Sequence, residues 1–297
     1  MRRNILTMGV ILAALAVATL FVLQRPGETS STGSSGKYLV DYDSATVDKI
    51  EIHTSTGDVT LAKDAGTWSL VMPLRYPADQ GEATMMVGKG RQIELTSLIS
   101  TNPEKQKLFQ VDSTGTLVKV YEKGTERASF RVGKPGSSYM ETYVRKEGSD
   151  DVYLASGILS ATFGRQVKDL RDKTIFKIEE ERIRSVKVAF GDTVYTLSFQ
   201  DSSWRIGKDS VQQSTVRGFL GLVAKIQADD FIDSTITDLP HLTCVLEIEG
   251  TQIRFHFSKA GNKYFVQTSR SPQWFEVQNW RATQILKHKK DFLPPAS

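Results

Sequence analysis

The chain has 297 residues, of which 39% are hydrophobic and 24% are charged, and its formal net charge is +4. This composition is typical of a globular protein and excludes a wholly disordered chain, a collagen-like fibre and a multi-span membrane protein. Its single cysteine, Cys244, excludes an internal disulfide framework and any zinc cluster built from several cysteines.

The N-terminus has the pattern of a membrane anchor. Residues 1–4 form a basic segment with Arg2 and Arg3, and an uncharged apolar run of nineteen residues follows at 5–23. At about 1.5 Å rise per residue this run reaches about 28 Å, close to the thickness of a bilayer's hydrocarbon core. The arginines are expected to stay in the cytoplasm. We therefore predict a single-pass transmembrane signal anchor at 5–23 in the inner (cytoplasmic) membrane, with the bulk of the chain outside the cytoplasm, in the periplasm.

A cleaved signal peptide is the alternative for this segment, because Ala16-Val17-Ala18 resembles a small-x-small cleavage site. Cleavage there would leave a strongly apolar new terminus, so the uncleaved anchor is favoured. Residues 24–36 are dominated by Ser, Thr and Gly, which predicts a flexible tether with a mean reach of about 20 Å. The folded part is therefore expected to work close to the membrane surface.

The body of the chain contains an internal duplication. Residues 47–70 and 183–206 match without a gap, and Trp68 and Trp204 lie 136 residues apart, as do the first residues of the two stretches. Both stretches alternate apolar and polar residues, which is typical of half-buried strands. We predict two related α+β repeats, at 37–177 and 178–297, each opening with three antiparallel strands.

A helix and further strands are predicted next in each repeat. The first helix is expected over 82–99, and the second has the clearer apolar stripe, formed by Val216, Phe219, Leu220, Val223 and Ile226. Four strands follow in each repeat, at about 117–122, 127–132, 140–145 and 152–154, and at about 244–248, 252–257, 264–268 and 275–277. Closing helices are expected at about 157–169 and 279–289. The fold class is α+β, with mainly antiparallel sheets in the order β-β-β-α-β-β-β-β-α and helices on one face.

The residues that could perform chemistry form no recognisable motif. The four histidines, His53, His241, His256 and His288, lack metal-binding spacing, and Cys244 lies among alternating apolar residues. The loop at 133–138 resembles a phosphate loop only superficially, because it is expected between two strands and not before a helix. We predict that the protein is not an enzyme and has no catalytic, cofactor-binding or metal-binding residues and no cofactor.

Two further candidate features are weaker. Arg171, next to Asp172, could pair with a nearby carboxylate. The net positive charge is too dilute to indicate nucleic-acid binding, although a basic helix end with Lys287, Lys289 and Lys290 could contact anionic lipid headgroups.

Four motifs occur in this order behind the anchor: TWSLVMPLRYPAD (67–79), FRVGKPGSSYMETYVR (130–145), DVYLAS (151–156) and LRDKTIFKI (170–178). With them, over about 38–279, the chain resembles bacterial proteins of the domain-of-unknown-function family 4340 (DUF4340). Members are often encoded beside ABC-2-type transporters related to the gliding-motility system. The resemblance implies a cell-envelope accessory protein of an ABC-type transport or motility complex, with a membrane protein partner such as the permease. It implies no catalytic residue.

The functional expectation is thus a membrane-anchored interaction or scaffold protein outside the cytoplasm. The first alternative is a protein that binds an envelope glycan or lipid in a cleft between the repeats. It is motivated by the aromatic residues Tyr139, Tyr143, Tyr264, Trp274 and Trp280. The second alternative is a hydrolase, which would need a deep pocket with at least two titratable groups in contact.

Overall fold

The computed structural model describes residues 38–294, which divide into two compact units. Unit 1 contains the described residues up to Asp58 together with Met85–Gly164, and unit 2 contains Val59–Thr84 together with the described residues from Arg165 onward. The basic segment at 1–4, the predicted anchor at 5–23 and the tether at 24–36 lie outside the described residues. Within 38–294, no helix is both long enough and apolar enough to cross a membrane.

Strands dominate both units. In chain order they are β1 (Val47–Thr54), β2 (Gly57–Asp64), β3 (Thr67–Met72), β4 (Tyr76–Pro77), β5 (Leu95–Ser100), β6 (Thr116–Glu122), β7 (Thr125–Pro135), β8 (Glu141–Lys146), β9 (Val152–Ser156), β10 (Thr174–Lys177), β11 (Ser185–Phe190), β12 (Thr193–Gln200), β13 (Ser203–Ile206), β14 (Asp209–Ser210), β15 (Lys225–Gln227), β16 (Asp230–Ile232), β17 (Leu242–Ile248), β18 (Thr251–Ser258), β19 (Lys263–Thr268) and β20 (Ser271–Gln278). The α-helices are α1 (Gln80–Arg91), α2 (Leu159–Phe163), α3 (Gln213–Ala224) and α4 (Asn279–Ile285).

Unit 1 is built on antiparallel strands in the order β1-β6-β7-β8-β9-β5. The register places Ile50 opposite Val120 and Ile52 opposite Val118, and all four side chains are buried. Alternate residues of a strand point to opposite faces of the sheet, so the period-two pattern in the sequence produces this apolar face directly. Phe130 of β7 continues the same core.

A segment after β5 lies against β7 in unit 1. It contains a 3₁₀ helix at Pro103–Phe109. A Cβ added to Gly133 would collide with the carbonyl oxygen of Phe109 and lie 2.7 Å from Cγ1 of Val111. Glycine at 133 therefore allows the segment to approach the strand this closely.

Unit 2 contains a nine-stranded antiparallel sheet in the order β14-β13-β12-β11-β17-β18-β19-β20-β16. Strand β3 pairs with β2 and β4, and β10 pairs with β15, in the same unit. The predicted apolar stripe of α3 is confirmed, since Val216, Phe219, Leu220, Val223 and the nearby Ile226 all lie in the core. That core also takes in Cys244, Phe255 and Phe275.

Glutamine side chains tie the first residues of α1 and α3 to the strands before them. In unit 2, Gln80 Oε1 accepts a hydrogen bond from the Trp68 backbone N–H, and its Nε2 donates to the Trp68 carbonyl, both at 2.8 Å. Gln213 makes the same two contacts with Trp204, at 3.1 and 2.9 Å. Each glutamine side chain thus hydrogen-bonds both backbone groups of one strand tryptophan.

The α+β class with mainly antiparallel sheets is confirmed, and the four strands predicted after the helix are present in both halves of the chain. The helix predicted over 82–99 is wrong beyond Arg91, because residues Leu95–Ser100 form β5 and pair with β9. Long-range pairing has overridden a weak helical pattern there. The order therefore has strands between the helix and the four predicted strands, β5 in the first half and β15 and β16 in the second.

The predicted closing helices are shorter than expected. In place of 157–169 the chain forms α2 and a 3₁₀ turn at Val167–Asp169, and in place of 279–289 it forms α4 and a 3₁₀ turn at Lys289–Phe292. Gly164 follows α2 directly, and its N–H donates to the Ser160 carbonyl at 2.8 Å.

Candidate functional site

Arg171 of unit 2 is the least exposed charged side chain in the described part of the chain, at 2%. Its guanidinium carbon lies 3.6 Å from the ring centroid of Phe231 and 4.3 Å from that of Tyr76. The two rings meet edge to face, 5.5 Å apart. A planar guanidinium suits this position because it stacks on aromatic faces and is more weakly hydrated than an ammonium.

The polar edge of Arg171 is held by two partners. Its Nη1 donates to both carboxylate oxygens of Asp233, at 2.8 and 2.9 Å, and its Nη2 donates to Gln273 Oε1 at 3.0 Å. Gln273 is oriented in turn by donating from Nε2 to the Trp274 carbonyl at 2.7 Å. The expectation that Arg171 pairs with a carboxylate is confirmed. The adjacent Asp172 instead accepts from the Thr174 N–H.

Backbone hydrogen bonds on both sides of Arg171 fix its position beside β4. The Asp79 N–H donates to the Leu170 carbonyl at 2.9 Å, and the Asp172 N–H donates to the Pro77 carbonyl at 2.8 Å. These bonds form a short antiparallel bridge opposite Ala78. With its backbone fixed in this way, the Arg171 side chain contacts Tyr76 in β4 and both Phe231 and Asp233 at the end of β16.

The chemistry available to this cluster is binding and not proton transfer. The Arg171 guanidinium has hydrogen-bond donors and no acceptor atom. Burial raises the pKa of the Tyr76 hydroxyl, which Arg171 lowers only in part, so the phenol stays neutral. Among the described residues, the buried Nε of Arg171 has no hydrogen-bond partner. The arrangement is a clasp for one carboxylate, with the Asp233 side chain still 58% exposed.

The histidines are placed apart. His256 is buried, with Nδ1 2.8 Å from the Pro240 carbonyl oxygen and its ring against Trp274. His288 stacks on Phe190, and His241 is exposed. Nowhere in 38–294 does a group of three or more His, Cys, Asp or Glu side chains lie together as metal ligands would.

His53 lies beside two carboxylates on the surface of unit 1. Its Nδ1 is 3.1 Å from Asp58. Burial raises the pKa of the neighbouring Glu51, but hydrogen bonds from Lys49 and Tyr121, at 2.8 and 2.7 Å, outweigh it and leave that pKa below its ordinary value. The result is a charged surface network and not a paired acid and base.

Cys244 and the aromatic residues singled out in the sequence have different surroundings. Cys244 is in the core of unit 2, where burial raises the pKa of its thiol to about 12. Tyr264 packs there as well, whereas Tyr139 and Trp280 are exposed by 76% and 59%. The predicted hairpin loop at 133–138 is confirmed as the end of β7 and the turn to β8.

Sequence reasoning found one member of the Arg171 clasp and missed the others. Tyr76, Phe231, Asp233 and Gln273 come from three separate segments, and no spacing rule connects them. Phe231 lies in β16 and Asp233 directly follows it. This strand has only three residues, which is too short for a periodic pattern to be recognised in the sequence. Only the tertiary pairing brings these residues to Arg171.

The family model described as "Domain of unknown function (DUF4340)" matches residues 68–244. The matched range includes Tyr76, Arg171, Phe231 and Asp233, while Gln273 lies beyond it. Neither the curated proteins nor the solved structures contain a match to the chain.

Proposed function

Because the chain belongs to the DUF4340 family, a family of unknown function, we propose a function from its own residues. It is a non-catalytic, single-pass membrane protein whose folded units act outside the cytoplasm as an interaction module. The observation that carries this proposal is the uncharged run at 5–23, which follows Arg2 and Arg3 and is joined to the folded part by the tether at 24–36. A run of this length and polarity is stable across a bilayer with its basic end in the cytoplasm.

The surroundings of the reactive side chains support a non-catalytic role. The thiol of Cys244 is protonated at neutral pH because burial raises its pKa. His256 is held by a backbone carbonyl, and Arg171 by Asp233 and Gln273. All three side chains are buried, and the two polar ones already have hydrogen-bond partners within the fold.

We also propose that 37–177 and 178–297 are two copies of one ancestral repeat. The strand order β4-β3-β2 corresponds to β14-β13-β12, and β1-β6-β7-β8-β9-β5 corresponds to β11-β17-β18-β19-β20-β16. Helices α1 and α3 both have 12 residues and begin with the glutamine that binds a strand tryptophan. A shared side-chain contact at matching positions supports common descent beyond the similarity of strand patterns.

The partner in this proposal is a membrane protein, such as the permease of an ABC-type complex, as the family resemblance implies. Affinity purification of the full chain from detergent-solubilised membranes should recover such a partner. Recovery of the chain alone, as a monomer, under conditions that preserve membrane complexes would contradict the interaction role.

The anchor is tested by placing a charge in its centre. Leu15→Arg adds a cost of about 3 kcal/mol to insertion, so the chain should move from the carbonate-washed membrane fraction to the soluble or degraded fraction. Ser31→Arg in the tether is the matched control and should stay in the membrane. In spheroplasts, protease added from outside should digest the folded units. Membrane association of Leu15→Arg equal to that of the control would refute the anchor, and an intact mass lacking residues 1–18 would show cleavage.

A further inference from the structure

One end of unit 1 contains both the beginning of the described chain and a group of exposed apolar side chains. Tyr38 forms a bridge with Glu94, just before β5. The Glu94 carbonyl accepts a hydrogen bond from the Ser156 N–H at 3.0 Å, at the end of β9. The next residue, Gly157, donates from its N–H to the Met140 carbonyl at 2.8 Å. These contacts connect Tyr38, where the described chain begins, to the β7–β8 turn through only a few residues.

The side chains at this end are unusually apolar for a surface. Tyr139 is 76% exposed, Met140 66%, Ile158 48% and Tyr38 44%. Single exposed apolar residues are common on proteins, but a group of them at one place indicates an interaction surface. We refer to Tyr139, Met140 and Ile158 as the apolar tip.

The apolar tip is held in a defined conformation. The Gly136 N–H donates to the Glu141 carbonyl at 2.8 Å, and the Tyr139 N–H donates to the Gly136 carbonyl at 3.2 Å. Behind the turn, the Glu141 carboxylate accepts hydrogen bonds from the hydroxyls of Ser138 and Thr96. The exposed apolar side chains of the turn thus have a hydrogen-bonded polar group directly behind them.

We propose that the apolar tip rests on the bilayer, with Tyr139, Met140 and Ile158 at the boundary between headgroups and acyl chains. This inference depends on the proposed anchor at 5–23. The tether predicted at 24–36 gives an expected mean reach of about 20 Å, so chain length alone would keep this end of unit 1 near the membrane. Tyrosine is favoured at the interface because its ring is apolar and its hydroxyl remains hydrated. The occupant is lipid, and no headgroup charge is required.

Strand β7 provides a control position at the opposite end of the unit. It has 11 residues, Thr125–Pro135, and at about 3.3 Å per residue it spans about 33 Å. Lys123, in the turn just before β7, is exposed and lies far from the apolar tip along this strand.

The test uses nitroxide labels on the full chain in proteoliposomes of a zwitterionic phospholipid. Met140→Cys and Ile158→Cys report on the tip, and Lys123→Cys is the control. Cys244 does not interfere, because it is buried and its thiol has a pKa of about 12. We expect oxygen, which concentrates in the bilayer, to relax the labels at 140 and 158 more than a water-soluble nickel chelate does, with the reverse at 123. Adding Tyr139→Asp should shift the label at 158 toward the control.

The outcomes separate this inference from the proposed function. Suppose that the chain withstands a carbonate wash but the labels at 140 and 158 are as accessible to nickel as the label at 123. This result would refute lipid contact by the tip and leave the anchor in place. Loss of the chain from the liposomes in that wash would refute the anchor itself. Shielding of the tip only after solubilised cell membrane proteins are added would identify a protein surface and overturn the inference. Unchanged circular dichroism of each labelled variant checks its fold.

Discussion

Removing Arg171 and removing Asp233, the two partners of one ion pair, should destabilise the protein by different amounts, because the two side chains differ in exposure. The Arg171 side chain is 2% exposed and that of Asp233 is 58%. Asp233→Ala leaves a positive charge enclosed between Tyr76 and Phe231 without a counter-ion. Arg171→Met leaves a carboxylate that water can reach, and it places an apolar chain against the two rings. We therefore expect Asp233→Ala to be the more destabilising change.

The magnitudes follow from the same exposures. Breaking a fully buried ion pair by removing one partner costs about 3–5 kcal/mol. Solvent screens this pair on the Asp233 side, and Arg171 keeps Gln273, so Asp233→Ala should cost about 2 kcal/mol. Arg171→Met loses two ring contacts and the hydrogen bonds but no longer has to keep a charge out of water, which leaves about 1 kcal/mol.

The assay is denaturant unfolding of the full-length protein in detergent micelles, followed by tryptophan fluorescence. Amide hydrogen exchange at Asp172, whose N–H bonds to Pro77, gives a local reading that does not assume two-state unfolding of both units. Asp233→Asn is the matched control, because it keeps the shape and one acceptor, and it should fall between wild type and Asp233→Ala. A loss for Arg171→Met equal to or greater than that for Asp233→Ala would refute the charge-enclosure argument.

Three other predictions test separate parts of the fold. Gly133→Ala should cost about 1–3 kcal/mol because its Cβ has no room, whereas Gly88→Ala, which has no atom within 4 Å of its Cβ in helix α1, should stabilise by about 0.5–1 kcal/mol; equal effects in thermal unfolding would contradict the packing. Gln80→Leu should cost about 1–3 kcal/mol because it leaves the Trp68 backbone N–H without its hydrogen-bond acceptor, and faster amide exchange at Trp68 is the readout. The pKa of Glu51 is lower in the folded protein, so its carboxylate contributes stability that is complete above the ordinary pKa and is lost as pH falls through the folded value. Glu51→Gln should therefore reduce the drop in the midpoint of unfolding between about pH 6 and pH 3. A drop equal to that of wild type would count against this prediction.

The strands could be predicted because their signal is local. Apolar and polar residues alternate along β1, β6 and β17, and the alternation itself defines which face is buried. The same reasoning failed at Leu95–Ser100, where β5 was taken for the end of a helix. Its residues are all exposed or half-buried, so the segment has no clean period of its own, and it becomes a strand by pairing with β9.

The Arg171 clasp marks the limit of local reasoning. The sequence suggested a carboxylate partner for Arg171 but could not choose Asp233 over the adjacent Asp172. That choice depends on the short bridge that sets Leu170 and Asp172 against β4 and turns the Arg171 side chain toward Phe231. Such a bridge joins residues far apart in the chain, and no spacing between residue types encodes it.

The sequence by itself determined the uncharged apolar run at 5–23, the Ser/Thr/Gly-rich composition of 24–36 and the strand-rich character of the body, because hydrophobicity and period are properties of neighbouring residues. Only the tertiary structure decided which carboxylate Arg171 holds, and that Tyr139, Met140 and Ile158 stand exposed beside the start of the folded chain. The physical reason is that exposure and side-chain pairing depend on which residues of distant strands lie opposite one another, and this register depends on contacts along the whole sheet.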